Sequence, residues 1–446
     1  MKKYLAIASC AAALLAAGCA KNEVIEESIP QHPVTFGVYA GQAATKATYG
    51  DINTTALTNS QDGFGVFAYY TKEYNWNDSS QDWDNEVEGS QTYGEATIPN
   101  FMYNQQVRNI ASYAAHSESN PSDYSEAKYP GGWYYTPLKY WPNGQNSTTY
   151  EASTTSADKV SFFAYAPHTA AAPSTGVVGT PYPAANQGIT AMTSNNTKGA
   201  PTITFTVPSA AENQIDLLWA IPIKNVTKQE LDGRVSFAFK HALAKLNFQV
   251  QAVVDAVDAV TNSLTDDGDE TIEHGETWII LQNLDVTATG VPNTGTLVLD
   301  SEALDVNSVA VPTWTSTRGN TSINYTNSSF ASTKTADGKT GFKVTEGVAN
   351  LNSSISPMII PATVTTGNFR VSVNYWVITK DDALFTGYST IQNQIWKTNT
   401  ANITFKAGYK YNIIVKLGLN SVDFDVTVAN WDTDDDQVIH LPQNVN

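Results

Sequence analysis

Apolar and polar side chains alternate residue by residue in many segments of this chain. Within residues 371–377, valine or tyrosine recurs at every second position, with Ser372 and Asn374 between them. A period of two is that of a β-strand with one buried face. The pattern predicts strands at residues 34–40, 65–70, 160–166, 202–207, 235–239, 246–250, 371–377, 411–417 and 424–428.

Helical periodicity is weak by comparison. Residues 252–260 fit either a short helix or another strand, and clusters of Gly, Asn, Asp, Pro and Ser separate the predicted strands, as turns require. Many short strands broken by turns predict an all-β chain built of β-sandwich domains. We place a domain boundary at Lys228, which gives domains of residues 32–228 and 229–446, and we predict long polar loops at 71–93 and 169–198.

The N-terminus has the pattern of an export signal. Lys2 and Lys3 precede an apolar run over residues 4–17, which is shorter than the roughly 20 residues that a membrane-spanning helix needs. The run ends in Leu-Ala-Ala-Gly-Cys, which resembles a bacterial lipobox with Cys19 as the lipidated residue. This predicts a signal peptide over 1–18 and a polar tether over 19–31, while an ordinary secretory signal with an incidental cysteine is the alternative.

Charge and composition narrow the class of function. The chain has 446 residues, a formal net charge of −18 and 11% aromatic residues, with only 15% charged residues. An acidic excess of this size argues against nucleic-acid binding through a basic face. The many Tyr, Trp, Thr and Asn residues are typical of an extracellular β-rich protein.

The residues that carry catalytic chemistry are few and scattered. The six histidines show no metal-ligand spacing, and neither a phosphate-binding glycine loop nor a G-x-S-x-G motif occurs. We interpret His241, which lies in a strand-like segment, as a hydrogen-bonded structural residue. The sequence therefore predicts neither an enzyme nor a cofactor or metal site.

Several motifs occur in a fixed order along the chain. They are GFGVFAY at 63–69, WYYTPLKYWP at 133–142, VSFFAYAP at 160–167, QIDLLWA at 214–220, FKHALAKL at 239–246, FKAGYKY at 405–411 and VANW at 428–431. Together, and after a lipobox, they resemble the fimbrillin family of Bacteroidales, whose members are subunits of cell-surface fimbriae. The resemblance covers nearly the whole chain after the signal peptide.

This resemblance implies a fold and a route of assembly. The fold would be two Greek-key β-sandwich domains of transthyretin-like topology, carried to the outer membrane by the lipid on Cys19. A protease would then cut after a basic residue, which is Lys46 before Ala47 here, and release the strand that carries Val34, Phe36 and Val38. A terminal strand of another fimbrial subunit would fill the groove that this leaves, and the fimbrium would support adhesion to a host or bacterial surface ligand.

Two parts of this assignment have alternatives. Lys46 could be an ordinary loop charge, and the tail that would donate a strand offers only Val438, Ile439 and Leu441 as apolar residues. A tail this short could belong to a tip or accessory subunit that accepts a strand without donating one.

A different function is also open. The chain could be a glycan-binding lipoprotein of the outer membrane, with exposed tryptophans that stack on sugar rings. The candidates for that role are Trp76, Trp83, Trp133 and Trp141. The same aromatic side chains could instead belong to the core of a sandwich.

Overall fold

The structure is a computed structural model. It describes residues 33–40, 52–60, 62–71, 82–87, 91–110, 132–142, 159–169, 188–208, 214–228, 231, 233–253, 276–305, 308–326, 334–336, 338–351 and 356–431. Within these residues, nearly all regular structure is β-strand, which confirms the predicted all-β class. No helix in the described segments is long and apolar enough to cross a membrane.

Within the described residues of the first half of the chain, two short helices accompany the strands, α1 (Thr54–Asn59) and α2 (Tyr93–Ala96). The strands are β1 (Thr35–Tyr39), β2 (Phe64–Tyr70), β3 (Glu86–Val87), β4 (Gln91–Thr92), β5 (Met102–Asn109), β6 (Trp133–Tyr134), β7 (Val160–Ala166), β8 (Ile189–Met192), β9 (Thr202–Thr206), β10 (Leu218–Ala220), β11 (Ile223–Val226), β12 (Arg234–His241) and β13 (Ala244–Ala252).

The second half of the chain contains strands alone within its described residues. They are β14 (Thr277–Ala288), β15 (Thr294–Val298), β16 (Thr313–Arg318), β17 (Thr321–Thr326), β18 (Lys334–Ala336), β19 (Lys339–Val344), β20 (Ala349–Asn350), β21 (Met358–Ile359), β22 (Ala362–Val364), β23 (Phe369–Lys380), β24 (Tyr388–Thr398), β25 (Ile403–Phe405), β26 (Tyr409–Leu417) and β27 (Val422–Asn430).

The central strands of the largest sheet are buried on both faces. Its strand order is β1-β12-β10-β7-β2-β5-β6, with β11 also paired to β7. Every residue of β7 is buried, and so is every residue of β2 except Tyr70. One face packs into a first core that contains Phe64, Phe162 and Phe237, and the other face packs into a second core around Trp219. A strand covered on both sides is nearly continuously apolar rather than alternating, and Ser161 is the one serine in β7.

A four-stranded sheet covers the second core and joins distant parts of the chain. Its order is β16-β15-β9-β8, so strands from residues 189–206 pair with strands from residues 294–318. The strand β12 in turn pairs with β10 and β1, inside the large sheet. The boundary that we predicted at residues 228 and 229 therefore does not separate one set of sheets from the next. The polar run there is a connection between β11 and β12, two strands of one sheet.

Most of the remaining strands form a sandwich of two sheets, while β22 pairs with β25, and β3 with β4, in separate two-stranded sheets. A five-stranded sheet with the order β20-β13-β26-β27, to which β21 adds, faces a six-stranded sheet with the order β18-β19-β14-β23-β24, to which β17 adds. The inward side chains of β23 and β26 meet in a third core that contains Phe248, Leu284 and Ile413. This packing follows the alternation that the sequence shows for these strands. The predicted count of two Greek-key domains stays a prediction.

The two polar segments that we predicted as loops contain regular structure. Strands β3 and β4 form a small hairpin inside residues 71–93, and β8 lies inside residues 169–198. Both predictions missed these strands. β3 and β4 have two residues each and are mostly polar, so they show no alternation. β8 is short but buries Ile189 and Met192 against the second core.

A buried hydroxyl connects the two sheets of the sandwich. Tyr375 on β23 is fully buried, and its hydroxyl donates to the carbonyl oxygen of Gly418, 2.8 Å away, in the turn between β26 and β27. Replacing Tyr375 by Phe should lower the free energy of unfolding by about 1–2 kcal/mol, because the carbonyl loses its partner. Urea denaturation followed by tryptophan fluorescence measures this. The half-buried Tyr388 on the same sheet is the control, and an equal loss for Tyr388→Phe contradicts the argument.

Candidate strand-exchange site

The strand β1 lies at one edge of the large sheet and is paired in parallel with β12. Five residue pairs are in register, from Thr35 opposite Arg234 to Tyr39 opposite Ala238. The backbone N–H and the hydroxyl of Thr35 both donate to the carbonyl oxygen of Gly233, each over 3.2 Å. One side of β1 is therefore held along its whole length.

On the other side of β1, the hydrogen bonds that the described residues make lie at its start. The backbone N–H of Val34 donates to the carbonyl oxygen of Lys139 over 2.8 Å, and the hydroxyl of Tyr135 donates to the carbonyl oxygen of Val34 over 2.8 Å. A single bridge joins Pro33 to Tyr140. Beyond Val34, no second strand pairs with β1 in the part of the chain that the structure describes. An edge of this kind accepts and releases strands more easily than a central one.

Phe36 fixes β1 in the first core. Its side chain is fully buried, and its ring stacks on that of Phe237 with centroids 5.9 Å apart and planes at 14°. Three further rings meet it edge to face, those of Phe64, Tyr135 and Phe162. Edge-to-face and offset-stacked pairs are the favoured arrangements of aromatic rings. We call the space that β1 occupies, between β12 and Tyr135, the strand seat.

The strand seat receives the other predicted residues of β1 as well. Val34 is buried, Val38 is half-buried, and both pack against the same core as Phe36. Gly37 faces the other way, where an added Cβ would come within 2.7 Å of Nε of Arg234. Any side chain at this position of the seat requires the arginine to move.

After β1, hydrogen bonds between Ala40 and Thr54 join the two ends of the intervening segment. The backbone N–H of Ala40 donates to Oγ1 of Thr54, and the backbone N–H of Thr54 donates to the carbonyl oxygen of Ala40, each over 2.8 Å. Asn53 caps α1 by accepting from the N–H of Ala56. The two ends of the segment 41–51 are thus fixed by contacts outside that segment.

A buried polar contact lies next to this point. The backbone N–H of Ile52 donates to Oδ2 of Asp216 over 2.9 Å, and Nδ1 of His241 lies 2.8 Å from the same oxygen. The His241 ring stacks on Trp431 with centroids 4.1 Å apart. His241 is therefore a buried residue at the end of β12, next to a carboxylate and stacked on Trp431. Its interpretation as a hydrogen-bonded structural residue stays a prediction. No cluster of potential metal ligands occurs among the described residues.

Comparison with known proteins identifies the family. A family described as fimbrillin-like matches residues 96–431. The chain belongs to the fimbrillin-like family. Over 449 residues it is 26% identical to the fimbrium subunit Fim1C of Phocaeicola vulgatus, and the alignment covers 96% of this chain and 97% of that one. These findings confirm the resemblance that the ordered motifs indicated.

A solved structure supports the fold of this fimbrillin-like chain. A fimbrial protein from Bacteroides vulgatus superposes on it with a TM-score of 0.58 at 22% identity. The superposition covers 90% of this chain and 99% of that chain. At this level of identity the likeness shows the shared fold.

The predicted site residues divide into two groups. Val34, Phe36 and Val38 of the fimbrillin-like chain lie in the strand seat, as described above. The others lie outside the described residues, namely Cys19, Lys46, Ala47, Val438, Ile439 and Leu441. The sequence did not reveal the walls of the seat, Tyr135 and Phe237. The only available signal was that both lie in aromatic-rich segments of large apolar residues.

The tryptophans proposed for sugar stacking are buried. Trp83, Trp133 and Trp141 are 3%, 5% and 4% exposed. Trp83 packs between Tyr69 and Phe163, and the indole N–H of Trp141 donates to the carbonyl oxygen of Gly233 over 3.0 Å. The alternative of sugar stacking, which needs exposed rings, does not hold for these three, whose aromatic surface fills the cores instead. Trp76 lies outside the described residues.

Two titratable side chains are buried where β2 begins and β7 ends. Burial raises the pKa of the Asp62 carboxyl to about 7, against a smaller opposing effect of the Arg108 guanidinium. Burial lowers the pKa of His168 to about 4. The N–H of His168 donates to the carbonyl oxygen of Gly63, so that the two groups lie at the same end of the sheet.

The pocket around Phe36 generates a first prediction. Phe36→Ala should lower the free energy of unfolding by about 3–5 kcal/mol, because it leaves a cavity among four rings. Tyr39→Ala on the same strand removes a side chain that is 58% exposed, and its effect should stay within about 0.5 kcal/mol. Urea denaturation of both variants measures the difference, and equal effects would mean that β1 does not carry this part of the core.

Asp62 generates a second prediction. Its folded-state pKa lies above the value near 3.8 of an exposed carboxyl, so its contribution to stability is full below pH 4 and is lost as the pH rises to about 7. At pH 8, the free energy of unfolding of Asp62→Asn should therefore exceed that of the unchanged chain by more than ~1 kcal/mol. This difference should shrink toward zero at pH 4. Thermal denaturation across this pH range tests it. A gain that does not vary with pH contradicts it, and Glu86→Gln, at an exposed position, serves as the control.

Proposed function

We propose that this chain is a structural subunit of a cell-surface fimbrium, outside the cell, whose partners are other fimbrial subunits. In this proposal a strand of a neighbouring subunit takes the place of β1. The observation that carries it is the strand seat, in which an edge strand buries Phe36 among four rings. The family of the chain and its similarity to the fimbrium subunit Fim1C support the same role. We infer no catalytic activity and no cofactor.

The energetics of strand exchange follow from the contacts of β1. Each backbone hydrogen bond to β12 contributes about 1 kcal/mol net, and burial of an aromatic side chain such as Phe36 contributes about 1.5–3 kcal/mol. In the uncut chain, the connection through residues 41–51 holds β1 at an effective concentration on the order of millimolar or higher. A cut in that connection removes this high effective concentration of β1. A strand from another subunit then competes with β1 through its contacts and its own concentration.

The finer steps are part of the same proposal. Cys19 would carry the lipid that anchors the chain at the outer membrane before assembly, and cleavage between Lys46 and Ala47 would free β1. Lys46 lies within the segment 41–51, whose two ends are held by the contacts of Ala40 with Thr54. The body of the protein would therefore keep its fold after the cut.

The C-terminal tail supports a tip or accessory position over a stalk position. Ile439 and Leu441 alternate with His440, so one face of the tail offers two apolar side chains where β1 offers three. With Ile439 in the place of Phe36, His440 would stand at the position of Gly37, where a Cβ meets Arg234. Arg234 is exposed and its flexible side chain could shift to make room, so the main disadvantage of the tail is the missing third apolar side chain. We therefore favour a subunit that accepts a strand and does not donate one to its own copies.

Controlled cleavage tests the function. A lysine-specific protease should remove the residues before Ala47, as mass spectrometry would record, and Lys46→Gln should resist this cut. The trimmed chain should then lose the β1 fragment and bind a donor strand of a co-expressed fimbrial subunit, seen as a larger complex in size-exclusion chromatography. Phe36→Ala should speed the loss of the fragment about ten-fold or more, since over 1.4 kcal/mol of contact is removed. Tyr39→Ala should leave its rate within about two-fold.

One outcome rules out exchange. If the trimmed chain keeps its own β1 fragment and stays a single particle at high concentration, then the proposed assembly is wrong. A solitary lipid-anchored surface protein would replace it.

A further inference from the structure

The outer face of the six-stranded sheet carries cationic, aromatic and amide side chains. On β23, Val371, Val373 and Tyr375 point into the third core, whereas the alternating positions from Arg370 to Lys380 point away from it. Trp396 on β24 stands opposite Ser372 on this outer face and is 58% exposed. We call this surface the cation–aromatic face.

Three cations of this face each lie over an aromatic ring. The guanidinium carbon of Arg370 is 4.6 Å from the ring centre of Trp396. Nζ of Lys339 is 4.6 Å from the ring centre of Trp376, and Nζ of Lys343 is 3.5 Å from that of Trp278. Cation–π contacts of this geometry hold flexible cationic side chains in place. The positive charges are thereby positioned before any ligand arrives.

Two of these cations lack a carboxylate partner. Neither Lys339 nor Arg370 has an acidic group within ion-pair distance among the described residues, whereas Lys380 lies 3.4 Å from Asp382. The one carboxylate on the outer side of β14 at this place is Asp285, which accepts from Nδ2 of Asn283 over 2.6 Å. The net charge of −18 opposes an anion at long range, but salt screens that field beyond about 8 Å. The local charges therefore decide what binds.

The same face carries amides between its two ends. Nε2 of Gln392 donates to Oδ1 of Asn374 over 3.1 Å, and Gln394 lies opposite Asn374. The accessible part of this face runs from Arg370 to Trp376, about 20 Å along the strand at about 3.3 Å per residue. Beyond it, Ile378 is buried together with Trp278 and Ile280. An elongated ligand with anionic groups at intervals and hydroxyl groups between them matches this sequence of cations and amides.

We propose that the cation–aromatic face binds an extended acidic polysaccharide, carrying carboxylate or sulfate groups. Arg370 and Lys339 would receive the anionic groups, the exposed ring of Trp396 would stack on a sugar face, and the amides would bind hydroxyls. Neutral glycans have no anionic groups for these cations to bind. The proposal goes beyond the role as a fimbrial subunit and does not depend on strand exchange.

Binding of chondroitin sulfate to the full chain tests the proposal, measured by isothermal titration calorimetry at physiological salt. Arg370→Gln combined with Lys339→Gln should raise Kd about ten-fold or more, since contacts to charged groups are removed. The matched control is Arg318→Gln combined with Lys198→Gln, which removes the same charges at exposed positions elsewhere and should change Kd less than about two-fold. Trp396→Ala should weaken binding several-fold without a change in melting temperature, because its side chain is largely exposed.

Two further ligands separate the sources of affinity. Dextran, a neutral polysaccharide, should not bind, and inorganic polyphosphate should bind more weakly than chondroitin sulfate because it offers no sugar ring. Four results overturn the proposal: no binding of chondroitin sulfate at millimolar concentration, equal losses in the two double variants, equal binding of dextran, or equal or tighter binding of polyphosphate. A failure of strand exchange in the cleavage experiment would leave this result unaffected.

Discussion

The burial of one phenylalanine from an edge strand is the interaction on which the architecture of the first half depends. Phe36 fills a space lined by rings from β2, β7 and β12 together with Tyr135. Phe64 on β2 and Phe237 on β12 are 173 positions apart in the sequence, yet both contact this one ring. Although its strand lies at the edge of the sheet, the Phe36 side chain is fully buried within the first core. Removing the strand would expose that core to water.

The large sheet and the four-stranded sheet make the protein more continuous than a chain of two independent domains. The second core lies between them and includes Leu297 and Ile360, which come from the later part of the chain. Trp431, the last described residue, packs into the same core and against His241. The C-terminal end of the described chain is therefore fixed to the N-terminal half by buried contacts.

Strands with one buried face could be predicted from the sequence, and others could not. The alternation in β23 and β26 is clean because their inward side chains share the third core. The alternation in β14 is interrupted, because its register with β23 shifts between Leu281 and Asn283 and places Gln282 out of step. The strand β5 was missed because its residues are mostly polar and Asn104 has a positive φ of 41°. The local alternation of apolar and polar residues does not indicate such irregularities.

The candidate site shows the same division. The apolar face of β1 was visible in the sequence because Val34, Phe36 and Val38 alternate. Its partner β12 begins 199 residues after Thr35 and pairs with it in parallel, which local pattern cannot indicate. Aromatic composition likewise could not tell the buried Trp133 from the exposed Trp396, since the two differ only in their tertiary surroundings. The partner of β1 and the exposure of each tryptophan depend on the tertiary fold, which the periodicity of the sequence does not indicate.

The parallel arrangement of β1 on β12 has a consequence for any polymer built on it. A replacement strand that keeps the present ladder must run the same way as β12, with its N-terminal end near Gly233 and its C-terminal end near Ala238. Every junction would then have the same orientation, so the assembly would possess polarity, with one end chemically unlike the other. Growth could proceed at the end where a vacant groove is presented, and a subunit without a matching strand to offer would stop it.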